Sequence, residues 1–259
     1  MSNHMTFKGI KVIREPSVYL VGKQEIDVPE LDLFLCSEAR TPLWDTDTHR
    51  AGETLVEVAG RLCYMSFAKP RPGGNKAYID HILEVGHGSV LEHAVFSLII
   101  TGVSRSLTHE LVRHRAGMSY SQLSQRYVDE SNVAFVLPPI MTAPTEEWFS
   151  ARVADLAEYM AMASDIELTS NEDDRTLRRK QAREAARSVL PNCTETKIFV
   201  TGNARAWRHF LELRGSIHAD AEMQRLARHM LRVLSESSPH LFGDYTITDK
   251  GITTPYRKV

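Results

Sequence analysis

Apolar residues recur along most of this chain at the three- and four-residue spacing of amphipathic helices, interrupted by short alternating or continuous apolar runs that suit strands. Residues 11–21 alternate and predict one early strand, whereas residues 30–48 are polar and irregular and predict a mobile loop. Within 54–64, Leu55, Val58, Ala59 and Leu62 share a helical face. The run Lys69-Pro70-Arg71-Pro72-Gly73-Gly74 breaks that pattern, and a second helix over 76–85 is stopped by Gly86. Residues 94–101 are continuously apolar, as in a buried strand. Ser104 is placed to cap a helix running to about residue 114. Residues 132–137 predict another strand, closed by Pro138-Pro139. Beyond it lie four helical stretches, 146–168, 175–190, 203–214 and 219–234, with a short strand over 197–201.

There is no internal repeat, no low-complexity segment and no clear linker. The pattern therefore predicts an α+β fold in a single domain over 1–259, with a central β-sheet flanked by helices and a helical second half. The absence of G-x-G-x-x-G argues against a Rossmann fold. Residues 1–8 read as a tag or disordered segment, with Met5 as a candidate native start, and residues 1–50 suggest no chemistry.

Composition narrows the function. The 259 residues carry a net charge of −2, with 42% hydrophobic and 25% charged residues, so no global field favours nucleic acid or a membrane surface. No apolar run approaches the roughly 20 residues of a membrane span, and no secretory signal opens the chain. Three cysteines, Cys36, Cys63 and Cys193, form no CxxC pair, which suits a reduced cytoplasmic protein. Cys63 is expected to pack on an apolar helix face and Cys36 to sit in the mobile loop. Cys193 follows Pro191-Asn192 with no base beside it in sequence, and none of the three looks like a nucleophile.

The densest chemical signal is Arg113-His114-Arg115-Ala116-Gly117-Met118-Ser119-Tyr120-Ser121-Gln122-Leu123-Ser124-Gln125-Arg126. Arginine forks bind phosphate bidentately, and a hydroxyl- and amide-rich loop can complete an anion cradle. The plain alternative is a cationic helix end that stabilises its own dipole. A second signal, His87-Gly88-Ser89-Val90-Leu91-Glu92-His93, offers two imidazoles and a carboxylate, but at no standard zinc spacing. A capped turn accounts for it equally well. Basic pairs four apart form a third signal: Arg183 with Arg187, Arg205 with His209, and Arg214 with His218 and Glu222 if one helix continues through Gly215. Surface salt bridges to Glu184 and Glu222 would produce the same spacing.

On these residues the chain resembles the flavin-dependent thymidylate synthases, whose signature is R-H-R-x-x-S-x-N-x-x-S-x-R. The match runs through Arg113, His114, Arg115, Ser119, Ser124 and Arg126, with one extra residue before Ser119 and Ser121 in place of the usual Asn. The segment Asn203, Arg205, His209, Arg214 and His218 is similar to that family's second half. The resemblance implies FAD as cofactor, held by Ser89, Arg113, His114, Arg115 and Gln122, with Asn203, Arg205 and His209 closing over it. It implies dUMP held by Glu110, Arg113, Gln122, Leu123, Ser124, Gln125, Arg126, Arg187 and Arg214. His87 would flank a shared site for methylenetetrahydrofolate and NADPH, and the assembly would be a homotetramer with sites shared between subunits. No metal is implied.

Methylation at uracil C5 needs electron density there, which other thymidylate synthases obtain from a cysteine adduct. With no convincing cysteine, the resemblance assigns activation to Arg214, stabilising the ionised N3–C2–O2 edge. Ser124 has no neighbouring histidine to activate it and suits a phosphate contact better than a nucleophile. Two other classes are a phosphate- or RNA-binding module, which the near-neutral charge disfavours, and a metal hydrolase built on His87, Glu92, His93 and His114. Flavin absorbance in the purified protein excludes the first, and a metal analysis without stoichiometric metal excludes the second.

Overall fold

The structure, a computed structural model, describes residues 4–7, 9–130 and 132–259, and the side chains of these except 155–161 and 164. Residues 1–3 and 8 of the expected tag lie outside the described residues.

The chain begins with β1 (His4–Phe7), β2 (Ile10–Ile13) and β3 (Ser17–Lys23). The single strand expected over 11–21 is thus two, parted at Arg14-Glu15-Pro16, where proline removes a ladder donor. Helix α1 (Val28–Ser37) replaces much of the loop expected over 30–48. Its cause is local: Asp27 accepts from the Glu30 N–H, Pro29 occupies the first turn, and Leu35 supplies a buried anchor. Helices α2 (Ala51–Leu62) and α3 (Gly74–Glu84) follow as expected, and Gly86, at φ 73°, ends the second. A 3-10 turn (Gly88–His93) leads into β4 (Val95–Ser104). Ser104 accepts from the Leu107 N–H at 3.0 Å and starts α4 (Arg105–Leu111). Then come β5 (Met118–Gln122), β6 (Phe135–Val136), α5 (Thr145–Thr169), α6 (Arg175–Ala186) and a 3-10 turn (Arg187–Val189). The chain continues through β7 (Glu195–Asn203), α7 (Ala204–Arg214), α8 (Ala221–Ser237), α9 (Pro239–Phe242), β8 (Thr246–Thr248) and β9 (Gly251–Thr253).

The fold is α+β. A four-stranded sheet has the order β3-β4-β7-β5, a three-stranded sheet the order β1-β2-β6, and β8-β9 is a hairpin. The chain separates into two compact units, each assembled from three stretches of sequence. The first comprises Met1–Ser17, Ile100–Arg113 and Tyr120–Phe199; the second comprises Val18–Ile99, His114–Ser119 and Val200–Val259.

In the first unit, β2 pairs antiparallel with β1 (Met5 opposite Val12) and parallel with β6 (Val12 opposite Phe135). Val12, Val133, Phe135, Leu137, Phe149 and Val153 form its core, and Cys193 packs against it. The cysteine that packs is therefore Cys193, and the expectation for Cys63 is corrected: it is exposed at the end of α2 and donates to the Ala59 carbonyl. Cys36, also exposed, lies on α1.

In the second unit, α7 buries Trp207, Phe210 and Leu211, and α8 buries Met223, Leu226, Ala227, Met230 and Leu234. Phe96 and Phe242 meet edge to face at 5.6 Å. The helical row expected through Arg214, His218 and Glu222 does not exist. Helix α7 ends at Arg214, and Asp220 caps a separate α8 by accepting from Glu222 N. A Cβ at Gly215 would lie 2.5 Å from the Leu211 carbonyl and 2.6 Å from Ile252, so the chain turns there with no side chain.

Candidate active site

The arginine–histidine motif sits where one unit hands the chain to the other. Arg113, the last residue of that stretch of the first unit, is exposed beyond α4 and donates back to the His109 carbonyl at 3.2 Å. After the Gly117 turn the chain becomes β5, a strand where the sequence suggested a loop. Its residues alternate half-buried and exposed, Met118, Tyr120 and Gln122 against Ser119 and Ser121. The hydroxyl-rich composition hides a regular strand period.

A cleft of about 590 Å³ opens in the first unit, lined among others by Arg105, Ser106, Glu110, Arg113, Gln122 and Asn192. Gln122 is fixed by donating to the hydroxyls of Thr108 at 2.9 Å and Thr196 at 3.3 Å. Burial and the nearby charge of Arg187 lower the pKa of Arg105, against the pull of Glu130. The guanidiniums of Arg105 and Arg113, with hydroxyl and amide donors beside them, make this cleft able to receive an anion. Of the residues implied for dUMP, Glu110, Arg113 and Gln122 line this cleft.

Leu123 donates its N–H to the Lys197 carbonyl, and Ser124 accepts from the amides of Tyr127 and Val128 through its carbonyl. Gln125 is buried, with its amide nitrogen unsatisfied within the described residues. Arg126 faces Glu184 at 2.8 Å. Arg183, four residues before Arg187, donates to the Tyr127 carbonyl at 2.6 Å, and Arg187 lies past the helix end.

A second cleft, about 540 Å³, lies in the second unit, lined by Glu92, Ala116, Gly117, Asn203, Arg205, Ala206, His209, Glu212, Lys258 and Val259. Asn203 caps α7 by accepting from Ala206 N at 2.8 Å, and a Cβ on Gly117 (φ 68°) would meet its amide at 2.6 Å. Arg205 and His209, one turn apart on α7, both reach this cleft, and Arg205 pairs with Glu92 at 2.7 Å. Ser89 and His87 are exposed on the 3-10 turn and at its start, and Arg115 is exposed before Gly117. Among the described residues no group of three His, Cys, Asp or Glu is arranged to hold a metal ion.

His114 and Arg214 meet in the second unit. Arg214 Nε donates to His114 Nε2 at 2.9 Å, so the ring is neutral and carries its proton on Nδ1. His114 also packs edge to face on Phe210. Burial first, then the charges of Arg214 and His209, lower its pKa from 6.5 to about 4. Between those values an unfolded chain binds a proton that the folded chain refuses, so stability rises with pH through that window and is lost as pH falls through it. Thermal midpoints measured from pH 7 to 4 should fall less steeply for His114→Gln than for the wild type; equal slopes would show that the histidine titrates normally.

Sequence reasoning missed Arg105, hidden as the first residue after a helix cap, and Arg208. An arginine inside the apolar stripe Trp207, Phe210, Leu211 was the available signal for the second. Arg208 is fully buried and forks onto Asp244 at 2.6 and 2.8 Å.

Over residues 46–240 the chain matches the family described as thymidylate synthase complementing protein. It is 52% identical over 210 residues to the flavin-dependent thymidylate synthase of Mycobacteroides abscessus, across 79% of this chain and 83% of that one. To the enzyme of the same description from Mycobacterium sp. strain JLS it is 53% identical over 214 residues, covering 79% and 84%. Thymidylate Synthase X of Helicobacter pylori, crystallised with FAD and dUMP, is similar in structure: TM-score 0.58, 26% identity, 76% of this chain and 96% of that one. The UMP/dUMP methylase PolB of Streptomyces cacaoi shares the fold, with TM-score 0.61 at 21% identity over 91% and 95% of the two chains.

Proposed function

The chain belongs to the flavin-dependent thymidylate synthase family, and from that membership we propose how its two clefts divide the work. It is a flavin-dependent enzyme that methylates dUMP to dTMP. The carbon donor in this reading is methylenetetrahydrofolate and the source of reducing equivalents is NADPH. The working form is a cytoplasmic homotetramer with sites shared between subunits, formed by a chain with one functional domain. No helix among the described residues is long and apolar enough to cross a membrane.

The cleft on α7 fits a flavin nucleotide. Arg205, Asn203 and His209 offer a cation, an amide and an imidazole for a diphosphate, and Ala116, Ala206 and Val259 offer apolar surface beside them. Ser89, His114 and Arg115 complete that set in this reading, and Arg113 and Gln122, which line the other cleft, would reach the cofactor of a neighbouring subunit. The Arg105 cleft, with Glu110, Arg113, Gln122 and the neighbouring Arg187, suits the phosphate and sugar of dUMP. Gln122 to Arg126 serve the same nucleotide, and His87 flanks the folate and nicotinamide. Bound FAD, once reduced by NADPH, would supply the hydride that completes the methyl group.

The observation that carries the mechanism is the bond from Arg214 to His114. A neutral imidazole accepts from Nε and fixes the plane of the guanidinium without adding a second cation. Arg214 then presents a preorganised positive edge on which negative charge over N3, C2 and O2 of the uracil is stabilised. C5 thereby becomes the nucleophile that takes the folate methylene. Ser124 binds and does not attack. Incubation with dUMP, methylenetetrahydrofolate and NADPH should yield dTMP only when all three are present; turnover without folate would sink this reading.

Losing one charge-assisted partner typically costs about 1.5–3 kcal/mol, or roughly ten- to a hundredfold in affinity. Arg115→Ala should therefore purify with little flavin, and full flavin absorbance in that variant would remove Arg115 from the cofactor site.

A further inference from the structure

Two of the residues lining the α7 cleft, Lys258 and Val259, come from a segment that no motif marks. Residues 254–259 have no regular secondary structure, yet they are tied down along their length. The Thr254 hydroxyl donates to Asp244, and Tyr256 N donates to the Thr254 hydroxyl at 3.0 Å. Buried Arg208 reaches the Tyr256 carbonyl at 3.4 Å. Lys258 adopts φ 62°, uncommon for a residue with a side chain, and its N–H is shared between both carboxylate oxygens of Glu212 at 3.0 and 3.3 Å. Val259 is 7% exposed. A Cβ built on Gly88 would lie 2.8 Å from the main-chain carbon of Val259 and 3.0 Å from Nε of Arg205. The glycine thus lets this segment and the cleft arginine approach the same point.

Glu212 lies on α7 beyond His209, with its side chain 10% exposed. An acceptor this buried whose two oxygens converge on one backbone N–H fixes the height of the segment against the helix. We propose that residues 254–259 form a wall of the cleft that holds the flavin, and that Glu212 is the positioning residue that keeps the wall in place. The assignment rests on the flavin reading of that cleft. Arg205 and His209 meet the cofactor from α7, and the wall confines it from the side of Lys258 and Val259. Cofactor retention then depends on backbone contacts far in sequence from the arginine–histidine motif.

The test measures FAD dissociation by flavin fluorescence and amide hydrogen exchange of residues 254–259. It compares the wild type, Glu212→Ala, Glu212→Gln and a chain ended after Tyr256. Glu212→Ala should exchange faster over the segment and bind FAD about tenfold more weakly. Glu212→Gln keeps one acceptor oxygen and should stay within about threefold. The shortened chain leaves α7 intact, so it remains informative if Glu212→Ala fails to fold, and it separates a wall from a direct contact of Glu212 with the cofactor. It should match Glu212→Ala in affinity. A shortened chain that binds FAD as the wild type does overturns the wall. A wild-type protein that takes up no FAD instead overturns the flavin reading of the cleft, and the proposal with it.

Discussion

Replacing Arg214 with alanine should slow methylation of dUMP by about a hundred- to a thousandfold, the usual ~3–4 kcal/mol for deleting one oriented donor to developing charge. The geometry makes the effect specific to chemistry. Arg214 closes α7, is half-buried, and is held through Nε by a histidine that does not compete for charge. Arg214→Lys should recover little, because a point charge on a flexible stem can neither satisfy His114 in the same way nor present a planar edge. Flavin reduction by NADPH should stay within a few-fold of the wild type, since no uracil charge develops in that half-reaction. Rapid-mixing measurements of the two half-reactions decide the matter. If Arg214→Ala abolishes flavin reduction while pre-reduced enzyme still methylates dUMP, Arg214 serves the flavin and another group polarises the base.

Arg208→Leu should cost about 3–5 kcal/mol of folding stability, the scale for removing one partner of a buried ion pair. Its side chain is inaccessible and that of Asp244 nearly so. The guanidinium also donates to the Leu241 carbonyl at 2.7 Å and lies over the Tyr245 ring at 4.7 Å. Burial raises the pKa of that tyrosine, whose hydroxyl donates to the Arg208 carbonyl at 3.2 Å. Truncating the arginine strands a carboxylate in this apolar setting. The double variant Arg208→Leu, Asp244→Leu removes the stranded charge and should regain a large part of the loss. Urea denaturation of the two variants checks both statements; a single variant as stable as the wild type would mean that water reaches Asp244 readily.

The amphipathic periods of α2, α3, α7 and α8 were legible in the sequence, because a helix that buries one face must repeat its apolar residues every three or four positions. The continuous apolar run of β4 and the Ser104 cap were legible for similarly local reasons, whereas the Asn203 cap was not foreseen. The density of charge, hydroxyl and amide groups from Arg113 to Arg126 singled that stretch out as a candidate site. Helix α1 escaped because its apolar residues form no single buried stripe, Leu35 being buried while Val28 and Leu33 stay exposed, and β5 escaped because its alternation is written in serine and glutamine. Periodicity carried across Gly215 implied a basic row that a turn destroys, since spacing does not register where a helix stops.

What no spacing encodes is which distant residues share a site. The sequence put Arg113, Gln122, Arg205 and His209 in one inventory; the folded chain gives the first pair to one cleft and the second pair to another. His114 and Arg214 are 100 positions apart and meet at 2.9 Å. Arg208 finds Asp244, and Glu212 finds Lys258, because burial in the folded chain makes each polar group seek whatever partner lies in reach, wherever it stands in the sequence. The chemistry available to this protein was fixed by its residue types and local order; the pairing of those residues into clefts was fixed by tertiary packing.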